Sequence, residues 1–171
     1  MALSAQLLFE NTVYRYNILK CDFDFSQDTT NAKGKEEYYP NKKARGGHIE
    51  VVLLSPGDEK TFLHDWLIKT DSELNGGLFF DIMLDGKKQQ RIVLFQGAKC
   101  ISLEEKFESQ KDEQMTITVK YSAQHVHFGN NADFFLWFVK DDDQAKFKGT
   151  IEALKKGLKE NMEILKKNAL A

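Results

Sequence analysis

Cysteine and proline are scarce in this chain, with two of each in 171 residues. Cys21 and Cys100 lie far apart, and neither belongs to a C-x-x-C pair. That spacing excludes a disulfide scaffold and fits two reduced thiols buried as small apolar residues. Two prolines and eleven glycines also exclude collagen-like and low-complexity classes. Long apolar runs are missing: the longest, Phe134 to Val139, falls far short of the roughly 20 residues of a membrane-spanning helix. The start, MALSAQLLFENTVYRY, has no basic stretch leading into an apolar one, so no standard secretory signal is expected. An excess of one charge is lacking too. Twenty-four Lys and Arg face 26 Asp and Glu, a net charge of −2, which gives no general attraction to nucleic acid. Finally, there is no G-x-S-x-G elbow, P-loop or G-x-G-x-x-G.

The composition that is there, 42% hydrophobic and 29% charged, suits one globular domain. The first 140 residues read as strands with one helical insertion. Residues 2–10 end at Glu10-Asn11, a turn signal. Residues 13–26 predict a long strand. Val13, Leu19, Cys21, Phe23 and Phe25 share one parity, and Lys20, Asp22, Asp24 and Ser26 the other, so one face is dry and one wet. At about 3.3 Å per residue it reaches about 45 Å, long enough to serve more than one sheet or to pass beyond its own barrel. Residues 27–46 lack apolar periodicity and read as a long loop. It carries Lys33, Lys35, Lys42, Lys43 and Arg45 against Glu36 and Glu37, with Tyr38 and Tyr39 in its middle. Loops of this length are usually functional or disordered. Exposed tyrosines suit a contact surface, although a loop folded back on its domain would bury them too.

Residues 47–54 resume as a strand. Ser55-Pro56-Gly57-Asp58 then reads as a helix start, with the helix running to about Lys69 on an apolar stripe of Phe62, Leu63, Trp66 and Leu67. Strands 78–84 and 89–95 flank Asp85-Gly86, a hairpin signal. Further strands are expected over 98–108, 114–128 and 133–139. Phe134 to Val139 are apolar on both parities, which predicts a segment covered on both sides, by core or by a neighbouring subunit. The final residues change character. Phe147, Ile151, Leu154, Leu158, Met162 and Leu165 recur every three or four positions, predicting an amphipathic helix of about six turns over roughly 143–168. Asp141-Asp142-Asp143 begin it and Lys166-Lys167 end it, the sense that suits the helix dipole. The chain thus divides into a β-rich unit, 1–140, and a helical extension, 141–171.

Few residues suggest chemistry. His125 and His127, two apart on a strand, share a face and could chelate a metal, but the sequence nominates no third ligand. An exposed or interface pair is the simpler expectation, with no metal and no cofactor. Asp141-Asp142-Asp143 lack the spacing of a calcium loop and are read as a helix start. Asp22 and Asp24 share a strand face as paired carboxylates can, and fit equally as its wet side. His48 and His64 have no partner that sequence identifies. No catalytic residue stands out, so the chain is not expected to be an enzyme.

The stretch YNILKCDFDFSQDTT, then RGGHIEVVLLSPGD and FLHDWL, resembles the tube protein of type VI secretion, in particular the Bacteroidetes-type Hcp proteins, also called TssD. The resemblance rests on Cys21-Asp22-Phe23, Ser26-Gln27-Asp28-Thr29, Arg45-Gly46-Gly47 and the Phe62 to Trp66 pair. Their order and spacing agree over residues 1 to about 128. The resemblance implies a mainly β fold, a barrel of two packed antiparallel sheets with one flanking helix, to which this chain adds its C-terminal helix. It further implies hexameric rings that stack into a tube carrying effector proteins, with sheath and spike proteins as partners, no nucleic acid and no stable membrane insertion. Assembly would be cytoplasmic, followed by secretion through the apparatus without a signal peptide. On that reading Gln27, Asp28, Tyr38, Tyr39, Arg45, Gly46 and Gly47 are expected at a ring or stacking interface. Phe147, Ile151, Leu154, Leu158, Met162 and Leu165 form the helix stripe, which lies on its own barrel, caps a subunit interface or binds a partner. A different class of reading is a monomeric barrel that binds a small apolar ligand, which long strands and many aromatics permit.

Overall fold

The computed structural model describes residues 4–12, 14–26, 29–31, 38–40, 45–55, 61–69, 71–108, 114–130 and 132–170. In chain order the elements are β1 (Ser4–Phe9), β2 (Arg15–Ser26), β3 (Thr29–Asn31), β4 (Tyr38–Pro40), β5 (Arg45–Leu54), α1 (Phe62–Ile68), β6 (Leu74–Leu84), β7 (Lys87–Glu108), β8 (Gln114–Gly129), β9 (Ala132–Phe135) and α2 (Asp141–Leu170).

Seven strands form one antiparallel sheet in the order β5-β2-β1-β6-β7-β8-β9. A further pairing of β5 with β8, from His48↔Ser122 to Leu54↔Thr116, closes the sheet into a ring. β8 can serve three neighbours because it is long. β7 lies along one edge, while β5 and then β9 share the other. Local chemistry sets the turns. Asp85 and Gly86 both hold positive φ, 51° and 74°, the backbone that a two-residue hairpin needs to match strand twist.

Alternation along the strands sorts side chains between two cores. Leu7, Phe9, Leu78, Val93 and Phe95 point into the ring with Ile49, Val51, Leu53, Val119 and Tyr121, all fully buried. Leu8, Phe79 and Leu94, one residue out of step, point outward and are covered by α2. A strand has period two, so adjacent residues must serve opposite faces. Here both faces are dry. α1 adds Leu63 and Trp66 to the inner core. Phe9 meets the rings of Tyr16, Phe62, Trp66 and Phe95 edge-on, the arrangement that the ring quadrupole favours. The Trp66 indole N–H donates to the Ala98 carbonyl at 3.0 Å, so its one polar atom is satisfied where it is buried.

The structure corrects several expectations. The helix expected from Ser55 begins at Phe62, with Thr61 at its N-cap position but making no side-chain capping bond. Ser55 donates its backbone N–H to Met115 and so continues the ladder of β5 with β8. Leu67, placed in the buried stripe, is exposed. The separate strands at 89–95 and 98–108 are one strand, β7, which passes Gly97 at φ 63° without breaking. Part of the expected loop 27–46 is a hairpin, with Thr29, Thr30 and Asn31 paired to Pro40, Tyr39 and Tyr38. β9 stops at Phe135, short of the expected 139. Val139 N–H bonds back to Leu136 and closes a turn. Within the chain Phe134 and Val139 are buried while Trp137 is 86% and Phe138 52% exposed, so the chain's own core covers only part of the segment.

Candidate functional site

Three features position side chains beyond the inner core. The first is the base of the 27–46 segment. Phe25 pairs with Gly46 and Ser26 with Arg45, after a register shift at Asp24. Gly46 holds φ 107°, and a Cβ there would lie 2.0 Å from the Asp24 carbonyl oxygen. Gly47 holds φ 82°, and a Cβ there would lie 2.7 Å from the Phe134 ring. Both glycines are thus demanded by backbone angle and by close approach. Tyr38 and Tyr39 stand in β4. Gln27 and Asp28 lie outside the described residues, as do the side chains of Tyr38, Tyr39 and Arg45.

The second feature is α2 on the outer face of β1, β6 and β7. Ile151, Leu154, Leu158 and Met162 are buried against Leu8, Phe79 and Leu94. Phe147 and Leu165 are half-buried. Of the three placements open to this stripe, the structure has the helix lying on its own barrel. A partner for the same residues would have to displace the sheet. Gly77 makes the approach possible, since a Cβ there would stand 3.0 Å from Leu158 Cδ1 and 3.0 Å from Leu94 Cδ2.

The third feature was only half visible in sequence. His125 and His127 share a face of β8, and the turn through Gly129 and Asn130 returns β9 so that Asp133 pairs with His127. Asp133 Oδ1 is 2.7 Å from His125 Nε2 and 2.8 Å from His127 Nδ1. His125 Nδ1 lies 2.8 Å from Gln96 Oε1 on β7. Gln96 Nε2 in turn donates to Thr150 Oγ1 on α2 at 2.7 Å. The His125 ring lies between Phe135, nearly parallel at 4.5 Å, and Phe147 at 5.8 Å. His125 is therefore fully buried, against the expectation of an exposed or interface pair. Burial lowers its pKa, and the pull of Asp133 in the other direction does not cancel this. For Asp133 burial acts upward, but the hydrogen bonds and charges of His125 and His127 outweigh it and hold the carboxyl below the usual range. The missing signal for Asp133 was the Gly129-Asn130 turn, which by hairpin pairing brings residues 127 and 133 opposite each other.

The remaining candidates are structural. Burial pushes the Cys21 thiol up to about 12, with Asp22 adding to the shift, and the Cys100 thiol up to about 11. Asp22 and Asp24 are exposed, with Lys20 at 3.4 Å from Asp22. His64 on α1 pairs with Glu105 on β7.

A family model described as hemolysin coregulated protein Hcp (TssD) matches residues 1–137. The chain belongs to the Hcp (TssD) family. As a member it is a tube subunit of a type VI secretion system. Among solved structures it is similar to Hcp1 from Flavobacterium johnsoniae, at 20% identity and a TM-score of 0.62, covering 78% of this chain and 99% of that one. It is also similar to the Hcp1 protein of the E. coli EAEC 042 pathovar, at 9% identity and a TM-score of 0.61, covering 80% and 100%. The sheath–tube complex of an extracellular contractile injection system, PVC, gives 14% identity and a TM-score of 0.51, covering 77% and 88%. At these identities the likeness is one of fold. No curated protein sequence matches. The Hcp match ends at residue 137 and α2 begins at Asp141, so the helix lies beyond the matched region.

Proposed function

We propose that six copies of this Hcp chain close head-to-tail into a ring, and that rings stack into the inner tube of the secretion apparatus. The observation that carries the reading is the family match over residues 1–137. Head-to-tail contacts join two different patches of one surface and close when the rotation permits. Trp137 and Phe138 are large exposed apolar groups suited to such a patch. On this reading the hairpin of β3 and β4 makes the stacking contact. Its contact would be made by Gln27, Asp28, Tyr38, Tyr39 and Arg45, with Gly46 and Gly47 fixing the return.

On this reading residues 1–140 are the tube unit and 141–171 an extension that stays on its outer face. The chain performs no catalysis. It assembles in the cytoplasm, meets sheath, spike and effector proteins there, and leaves through the apparatus without a signal peptide. Among the described residues no helix is long and apolar enough to cross a membrane. The alternative, a monomeric barrel holding a small apolar ligand, needs an open interior. That interior is filled by Leu7, Phe9, Phe95 and Tyr121, so the tube is preferred. The test is secretion. The chain should appear in the medium of cells with a working apparatus and vanish from it when the sheath gene is deleted. Equal release from both strains would overturn the proposal.

A further inference from the structure

We propose that His125 Nε2, His127 Nδ1 and Asp133 Oδ1 bind one divalent transition-metal ion of the zinc class. The three atoms lie within 4.8 Å of one another. The hydrogen bonds around them fix the orientation of Gln96 and the hydrogen on His125 Nδ1. The Thr150 hydroxyl donates to the Lys146 and Phe147 carbonyls of its own helix, 3.2 Å away in each case. Its oxygen can then only accept, so Gln96 presents its amide N–H₂ to Thr150 and its carbonyl to His125. His125 Nδ1 must carry the hydrogen that this carbonyl accepts. In the neutral ring its Nε2 carries the lone pair, 2.7 Å from a carboxylate oxygen, and in the imidazolium the same nitrogen donates to that oxygen. Either a proton or a metal cation can bridge this nitrogen and oxygen, and His127 Nδ1, 2.8 Å from the same oxygen, adds the third donor that a single metal ion can gather.

The surroundings are those of a ligand set. A ring nitrogen that binds a metal usually has the other ring N–H held by a carbonyl or carboxylate, as Gln96 holds His125. Phe135 and Phe147 fix the plane of the ring between them. Two neutral imidazoles and one carboxylate carry a net charge of −1, and their donor set of two nitrogens and one oxygen suits zinc and its neighbours rather than calcium or magnesium. His127 and Asp133 keep 13% and 12% of their side-chain surface exposed, which leaves a fourth position open to water. Lys148, with its Nζ 5.7 Å from the Phe135 ring centre, is the nearby opposing cation, and its charge acts on His125. Bonds of about 2.0–2.1 Å around one ion require the ligand atoms to part by roughly half an ångström. The ion would join β8 to β9, and through Gln96–Thr150 and Phe147 it would fasten the first turns of α2.

The test uses the full chain, stripped with a chelator, reloaded with zinc chloride, desalted and analysed for bound zinc by mass spectrometry. One zinc per chain is expected. His127→Ala and Asp133→Asn should each lower affinity at least tenfold, and bound cobalt(II) should give the visible bands of a four-coordinate site. Retention of no zinc, or equal retention by wild type and both variants, would overturn the proposal. Should either variant misfold, wild type decides alone: a thermal midpoint that rises with zinc, together with the cobalt bands, supports the site, and their joint absence refutes it.

Discussion

Shortening Leu158 to alanine tests whether α2 is held by the sheet beneath it. Leu158 is 1% exposed and packs with Leu8, Phe79 and Leu94. Leu→Ala in a packed core costs about 2–5 kcal/mol, the larger values arising where neighbours cannot collapse into the space. Here the floor is a β-sheet, and Gly77 beneath the side chain has nothing to move into the gap. We therefore expect about 3–4 kcal/mol for Leu158→Ala. Ile164, on the same helix but 55% exposed, is the control, and Ile164→Ala should stay within about 0.5 kcal/mol. Urea denaturation at one fixed protein concentration measures both, because assembly would otherwise shift the apparent stability. Far-ultraviolet circular dichroism follows the helix, and the fluorescence of buried Trp66 follows the inner core. A loss at Leu158 no larger than at Ile164 would refute the packing argument.

Three further outcomes follow from the same geometry. Gly149 and Gly157 lie inside α2 with nothing within 4 Å of an added Cβ, so Gly149→Ala and Gly157→Ala should each raise thermal stability by about 0.5–1 kcal/mol. Trp66→Phe removes the donor to Ala98 O and should cost about 0.5–1.5 kcal/mol in urea denaturation by losing a buried hydrogen bond. The thiols of Cys21 and Cys100, raised from 9.0 to about 12 and about 11 by burial, should react slowly with a disulfide reagent at pH 8 and quickly in urea. Because the folded values lie above the unfolded ones, the unfolded chain ionises first. The contribution of these two thiols to stability should be constant below about pH 9 and fall as pH rises toward 11 and 12.

The parts of this fold legible in sequence are those where one local signal had no competitor. Asp85-Gly86 fixed a hairpin, and the stripe from Phe147 to Leu165 fixed a helix, because turn chemistry and periodicity are properties of short segments. The start of α1 was misplaced because Ser55, a good helix cap, is instead held by Met115, more than fifty residues away in the chain. Phe134 to Val139 offered apolar residues without saying which would meet the core, and a turn decided it by carrying Trp137 and Phe138 outward. Gly46 and Gly47 were visible as glycines. Their necessity was not, because it depends on Asp24 and Phe134 across the sheet. The same holds for His125, whose partners Gln96 and Asp133 come from two other strands.

The central claim is that this chain is a ring-forming tube subunit, and its mass in solution tests that most directly. Light scattering on a sizing column, with negative-stain microscopy of the eluted peak, should give six times 19.7 kDa, about 118 kDa, and six-fold rings with an open centre. A mass that stays at 19.7 kDa up to the solubility limit, with no rings in the images, would contradict the account.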